Sequence, residues 1–92
     1  VNSCKYQLWI VWCGEHGDMF CGIDQNGISE LRCIKELYCW NNKKIYNVHH
    51  LKNTLKRLDC GGDCNIDQAG ISELLYVKKL CSIGNNRIKK FH

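Results

Sequence analysis

Eight cysteines and four histidines in 92 residues carry most of the chemical potential of this chain. Thiolates and imidazoles together hold zinc, two thiols close a disulfide, and a thiol beside an imidazole makes a nucleophile. Cys13-x-x-His16 and Cys60-x-x-x-Cys64 have spacings that suit zinc. Neither has a second pair at matching spacing, and a structural zinc site needs four converging ligands, so no metal is expected. His49-His50 resembles a ligand pair, but His92 repeats His49 at an offset of 43 residues, which makes it part of a recurring pattern. No Ser-His-Asp or Cys-His constellation follows from spacing. Gly61-Gly62 lacks the Lys-Ser/Thr of a phosphate-cradling loop and is read as easing a turn. The expectation is a chain with no catalytic residues and no cofactor, not an enzyme.

What positions these side chains is a repeat. Ile23-Asp24-Gln25-Asn26-Gly27-Ile28-Ser29-Glu30-Leu31 returns as Ile66-Asp67-Gln68-Ala69-Gly70-Ile71-Ser72-Glu73-Leu74, 43 residues later. A shorter template halves that period. Ile34-x-x-Leu37-x-Cys39-x-x-Asn42-x-x-Ile45 matches Leu55-x-x-Leu58-x-Cys60-x-x-Asp63-x-x-Ile66, and then Val77-x-x-Leu80-x-Ser82-x-x-Asn85-x-x-Ile88. The starts lie 21 and 22 residues apart. A degenerate first copy fits Leu8-x-x-Val11-x-Cys13-x-x-His16, with 16–20 as an insertion.

This pattern resembles the leucine-rich repeat, whose consensus is L-x-x-L-x-L-x-x-N/C-x-L. The resemblance covers about Leu8 to His92. The short unit with Cys at the third apolar position is similar to repeat proteins of giant DNA viruses that infect amoebae. Ten Lys, nine Asn, nine Ile and no Pro suggest an AT-rich genome, which agrees with that source. The resemblance implies an α/β repeat: a leucine-rich repeat solenoid with a short-stranded parallel sheet on the concave face and helical or 3-10 turns on the convex side. It divides the chain into 1–22, a degenerate first repeat or amino-terminal cap, and 23–92, repeats of 21–22 residues truncated at the carboxyl end. The chain is expected to be part of a longer repeat protein.

Local physics agrees with a sheet. Leu37 and Cys39, Leu58 and Cys60, and Leu80 and Ser82 are two apart, so each pair shares one face of a short strand. Apolar residues three to five apart on the return path suit helical turns, with Asp24, Asp67, Ser29 and Ser72 as capping candidates. Cys13, Cys39 and Cys60 fall at one register position, where a thiol serves as a small hydrophobe, so they are read as core and disulfides are not expected. Asn42, Asp63 and Asn85 stand where the chain leaves each strand; in the family this position forms an asparagine ladder. The residues alternating with the inward ones point outward, on the side the family uses for binding. Trp12, Glu36, Tyr38, Trp40, Arg57, Asp59 and Lys79 are the partner-binding candidates. Aromatics of this kind are enriched at interface hot spots, although they also support cross-strand packing.

The net charge of +4 is mild, and the basic pairs Lys43-Lys44, Lys78-Lys79 and Lys89-Lys90 are spread along the chain, so no nucleic-acid role is expected. No apolar run nears the ~20 residues that cross a bilayer, so no membrane role is expected either. The expected function is a scaffold that binds a protein partner through the concave face, in an intracellular, reducing compartment. The alternative is a structural component of a virus particle or larger assembly.

Overall fold

The computed structural model describes residues 9–15 and 22–90. Leu8, the whole of the proposed insertion (16–20, His16 included), Cys4, Cys21 and His92 lie outside the described residues. Four strands, β1 (Ile10–Trp12), β2 (Glu36–Tyr38), β3 (Arg57–Asp59) and β4 (Lys79–Cys81), form one parallel sheet in chain order. The connections carry two short helices, α1 (Gln25–Ser29) and α2 (Gln68–Ile71), and a 3₁₀ turn at His49–Leu51. The architecture is a small α/β one. The register sets Val11, Leu37, Leu58 and Leu80 side by side, so the 21- and 22-residue offsets of the sequence are the offsets between paired strands. Three-residue strands are shorter than the usual five or six. Backbone bonds lengthen the ladder on both sides, from Lys35 N to Trp9 O (2.7 Å) and from Glu15 N to Trp40 O (2.8 Å).

The core lies between the inner face of the sheet and the return paths. Val11, Cys13, Leu37, Cys39, Leu58 and Cys60 enter it from the strands, and Ile28, Ile34, Ile45, Val48, Leu51, Leu55, Ile66, Ile71, Leu74 and Val77 from the connections. Helices of four or five residues have no stability of their own, so packing and caps hold them. Asp24 Oδ1 accepts from Gly27 N (2.9 Å), and Asp67 Oδ1 accepts from Gly70 N (2.8 Å). The serines act at the other end: Ser29 Oγ donates to Gln25 O, and Ser72 Oγ to Ala69 O. The choice between α and 3₁₀ follows the spacing. Eleven residues separate Ile23 from Ile34 and Ile66 from Val77, but ten separate Ile45 from Leu55, where the path winds more tightly as 3₁₀.

Each unit is tied to the next by side chains that satisfy its backbone. Asn42 Nδ2 donates to Cys13 O (2.7 Å) and Ile23 O (3.2 Å), and its Oδ1 accepts from Lys44 N (2.9 Å). Asn85 repeats this with Cys60 O (2.7 Å), Ile66 O (2.9 Å) and Arg87 N (2.9 Å). The middle position departs from the expected series. Asp63 is exposed, and Cys64 is the buried residue, its Sγ 3.9 Å from Ile45 O. A carboxylate has no N–H to give two carbonyls and loses its hydration when buried, so the turn rolls it outward and takes in the neighbouring thiol.

The recurring Asp-Gln pair also proves structural. Gln25 Oε1 accepts from Tyr46 N (2.9 Å) and Asn47 N (3.0 Å) while its Nε2 donates to Asn47 O (2.7 Å). Gln68 does the same with Lys89 N, Lys90 N and Lys90 O. His50 Nε2 lies 2.9 Å from Ile28 O and 3.0 Å from Leu31 O, and Thr54 Oγ1 donates to Ile34 O. Among the described residues, no buried side-chain nitrogen or oxygen lacks a partner. No helix there is long and apolar enough to cross a membrane.

The contrast between Asn42 and Asp63 is directly measurable. Asn42→Ala should cost about 2–4 kcal/mol in urea unfolding, because it strands buried carbonyls. Asp63→Ala should stay within about 0.5 kcal/mol, as exposed substitutions do. A comparable loss for both would return Asp63 to the buried series.

Candidate functional site

The pleat fixes which side chains leave the sheet outward. Pairing aligns Ile10, Glu36, Arg57 and Lys79 in one outer row and Trp12, Tyr38, Asp59 and Cys81 in another. Six of the seven sequence-derived candidates therefore stand in two adjacent rows of one face. Trp12 and Tyr38 stack with centroids 3.9 Å apart and planes 7° from parallel. The Arg57 guanidinium covers the Tyr38 ring at 5.3 Å, continuing the pile onto β3. Tyr38 Oη donates to Glu36 Oε1 at 2.6 Å, and this bond, followed by partial burial, raises the phenol above its ordinary pKa of 10.0. Asp59 Oδ1 accepts from Gly61 N (3.2 Å), which orients its carboxylate along the turn.

Local packing accounts for part of this cluster, since a stacked pair contributes about 0.5–1.5 kcal/mol. It does not account for Trp12, which stays 71% exposed, or for Ile10 and Ile83 at 49% and 72% on the same side. Trp40, the seventh candidate, is half-buried. Its neighbours across the ladder are Gly14 and Gly61, through Glu15 N to Trp40 O (2.8 Å) and Asn41 N to Gly61 O (3.1 Å). A Cβ on Gly61 would overlap the Trp40 ring and come within 2.7 Å of Ile83 O; one on Gly14 would reach Trp40 O at 3.0 Å. Trp40 thus lies down in a slot floored by glycine. The alternation of Gly, Trp and Gly at one register position is the sequence signal for this slot. Gly62 supplies the turn, with φ of 62°.

The cysteines line the opposite, inner face. Cys13, Cys39, Cys60 and Cys64 are buried, and Cys39 Sγ lies 3.6 Å from Cys64 Sγ. The contact with Cys64, then deep burial, holds Cys39 well above the ordinary thiol pKa of 9.0, while the same contact lowers Cys64. Burial first, then the neighbouring Cys64, pushes Cys60 up as well. Thiols held protonated are poor nucleophiles and poor metal ligands. Among the described residues, no group of three or more His, Cys, Asp and Glu side chains is placed to hold a metal ion. Cys33 departs from the expectation that disulfides are absent: it is disulfide-bonded. It stands outside the inward register of Cys13, Cys39 and Cys60, so the repeat pattern says nothing of its pairing.

Two outcomes follow from this geometry. Gly61→Ala should cost about 1–3 kcal/mol by displacing Trp40 from its slot, read as a lower urea midpoint. The raised thiols also set a pH dependence. Cys39 and Cys60 ionise later in the folded chain than in the unfolded one, so the unfolded chain loses protons first as pH rises. Their stabilisation is full well below pH 9 and is lost as pH rises through and beyond it, offset in part by Cys64, whose lowered thiol works in the opposite sense. Urea unfolding at pH 7 and pH 10 should show this fall, with a shallower one in a Cys60→Ala chain.

No family model, curated protein or solved structure matches the chain.

Proposed function

We propose that the chain is a segment of a leucine-rich repeat solenoid that binds a protein partner through the outer face of its sheet, the concave face of such a solenoid. The observation that carries the reading is the Trp12–Tyr38 stack, whose indole is left largely in water beside Ile10 and Ile83. Exposed aromatic and aliphatic surface of this kind marks interaction sites. Glu36, Arg57, Asp59 and Lys79 surround it with mixed charge that orients a partner rather than supplying bulk affinity. In-register parallel pairing at 21 and 22 residues and the matching Asn42 and Asn85 clamps support the repeat reading. The Lys-, Asn- and Ile-rich composition supports a source among the giant DNA viruses of amoebae. The thiols of Cys39, Cys60, Cys64 and Cys81 support an intracellular, reducing location, and the Cys33 disulfide weighs against it.

A second reading is a structural element of a virus particle or larger assembly. It is favoured by the fourth unit, where Leu75, Tyr76 and Ile83 are all exposed beside the edge strand β4. Recovery of the chain as a stoichiometric constituent of purified particles would support it.

Affinity capture from lysate separates the face from the rest of the surface. A Trp12→Ala, Tyr38→Ala chain with an unchanged urea midpoint should lose the captured partner by at least tenfold, since hot-spot truncations cost about 2 kcal/mol or more. Equal capture by both chains would move the contact off this face.

A further inference from the structure

The lysines that look scattered in sequence are gathered by the register. Lys56 N donates to Lys35 O (2.7 Å) and Lys78 N donates to Lys56 O (2.8 Å), so Lys35, Lys56 and Lys78 occupy successive positions just ahead of β2, β3 and β4. All three are exposed. Adjacent strands lie ~4.8 Å apart, so three cationic stems stand within about 10 Å along one edge of the sheet. One residue further on, Arg57 and Lys79 continue the same field onto the outer face. Lys35 and Lys56 place their ammonium groups over the Trp9 and Tyr76 rings, at 4.2 and 4.8 Å. Aromatic faces hold these ammonium groups in place without neutralising them.

We infer that this edge and the adjoining outer face take an extended acidic protein segment laid across the strands, its carboxylates on Lys35, Lys56 and Lys78 and its apolar side chains on the Trp12–Tyr38 stack. The inference rests on the outer face being the binding face. A peptide supplies both kinds of contact, because alternate side chains of an extended chain project to opposite sides. The exposed Ile10 calls for apolar partners as well as anionic ones. A nucleic-acid strand fits the face less well, because Glu36 and Asp59 stand in the outer rows and would lie against its continuous phosphates.

The test uses a synthetic peptide of roughly ten residues alternating Glu with Leu, long enough to cross four strands at ~4.8 Å each. Its Gln-Leu counterpart and oligothymidylate serve as comparisons, all titrated into the intact chain. The Glu peptide should bind about tenfold more tightly than the Gln peptide and weaken as salt is raised, as a cluster of exposed charge contacts does. Lys35→Gln, Lys56→Gln, Lys78→Gln together should remove that tenfold preference, while Lys43→Gln, Lys44→Gln, Lys89→Gln, of equal net charge, should keep it. Equal binding of the two peptides, equal loss in both triple variants, or tighter binding of oligothymidylate would overturn the inference. If the Trp12→Ala, Tyr38→Ala chain loses the peptide while the edge variant keeps it, the face reading stands and the lysine edge fails. If the edge variant loses it and the aromatic variant keeps it, the lysine edge stands and the face reading fails.

Discussion

Every strand in this sheet is only three residues long, so the chain must turn out of the sheet and back again three times within a small volume. Each turn buries carbonyls that no strand partner can reach, and an unpaired buried carbonyl costs about as much as a lost hydrogen bond. The rest of the structure depends on how those groups are satisfied. Asn42 and Asn85 each donate to two carbonyls, one at a strand end and one on a return path, and accept one backbone N–H. Gln25 and Gln68 perform the complementary task on the outside of the return path. These amides act across neighbouring units, not within one, so no unit completes its hydrogen bonding alone. Stability is therefore shared along the chain, and a cut between units would leave polar groups open on both sides.

That arrangement leaves the inner and outer faces with different duties. The inner face is filled with Leu, Ile and small thiols; the Cys64 contact and burial keep Cys39 protonated, and burial keeps Cys60 so. The nucleophilicity of these two thiols is thereby suppressed. The outer face has no such demand on it. Trp40 is absorbed into packing by the glycine beside it, whereas Trp12 and the aliphatic residues near it are not covered by anything in their own unit. The face thus combines a fixed aromatic pile with charged neighbours whose own bonds, Tyr38 to Glu36 and Gly61 to Asp59, hold them in place. Preorganised side chains lose less freedom on binding than mobile ones, which would favour the contact surface proposed above.

Sequence by itself determined the unit length, the inward positions and the outward rows. All three follow from the two-residue period of a strand and from apolar spacing that no other local structure would satisfy. It also determined the caps, since Asp24 and Asp67 precede their helices by the spacing a side-chain cap requires. Only the tertiary structure decided that Cys64, not Asp63, is buried at the third turn, because that choice weighs the burial of a charge against a shift in the turn. It alone laid Trp40 on Gly61, a contact between distant parts of the chain, and it alone showed Cys33 in a disulfide. It also brought Lys35, Lys56 and Lys78 together. Residues some twenty positions apart are unrelated along a chain, but parallel pairing in register places them one strand spacing from each other.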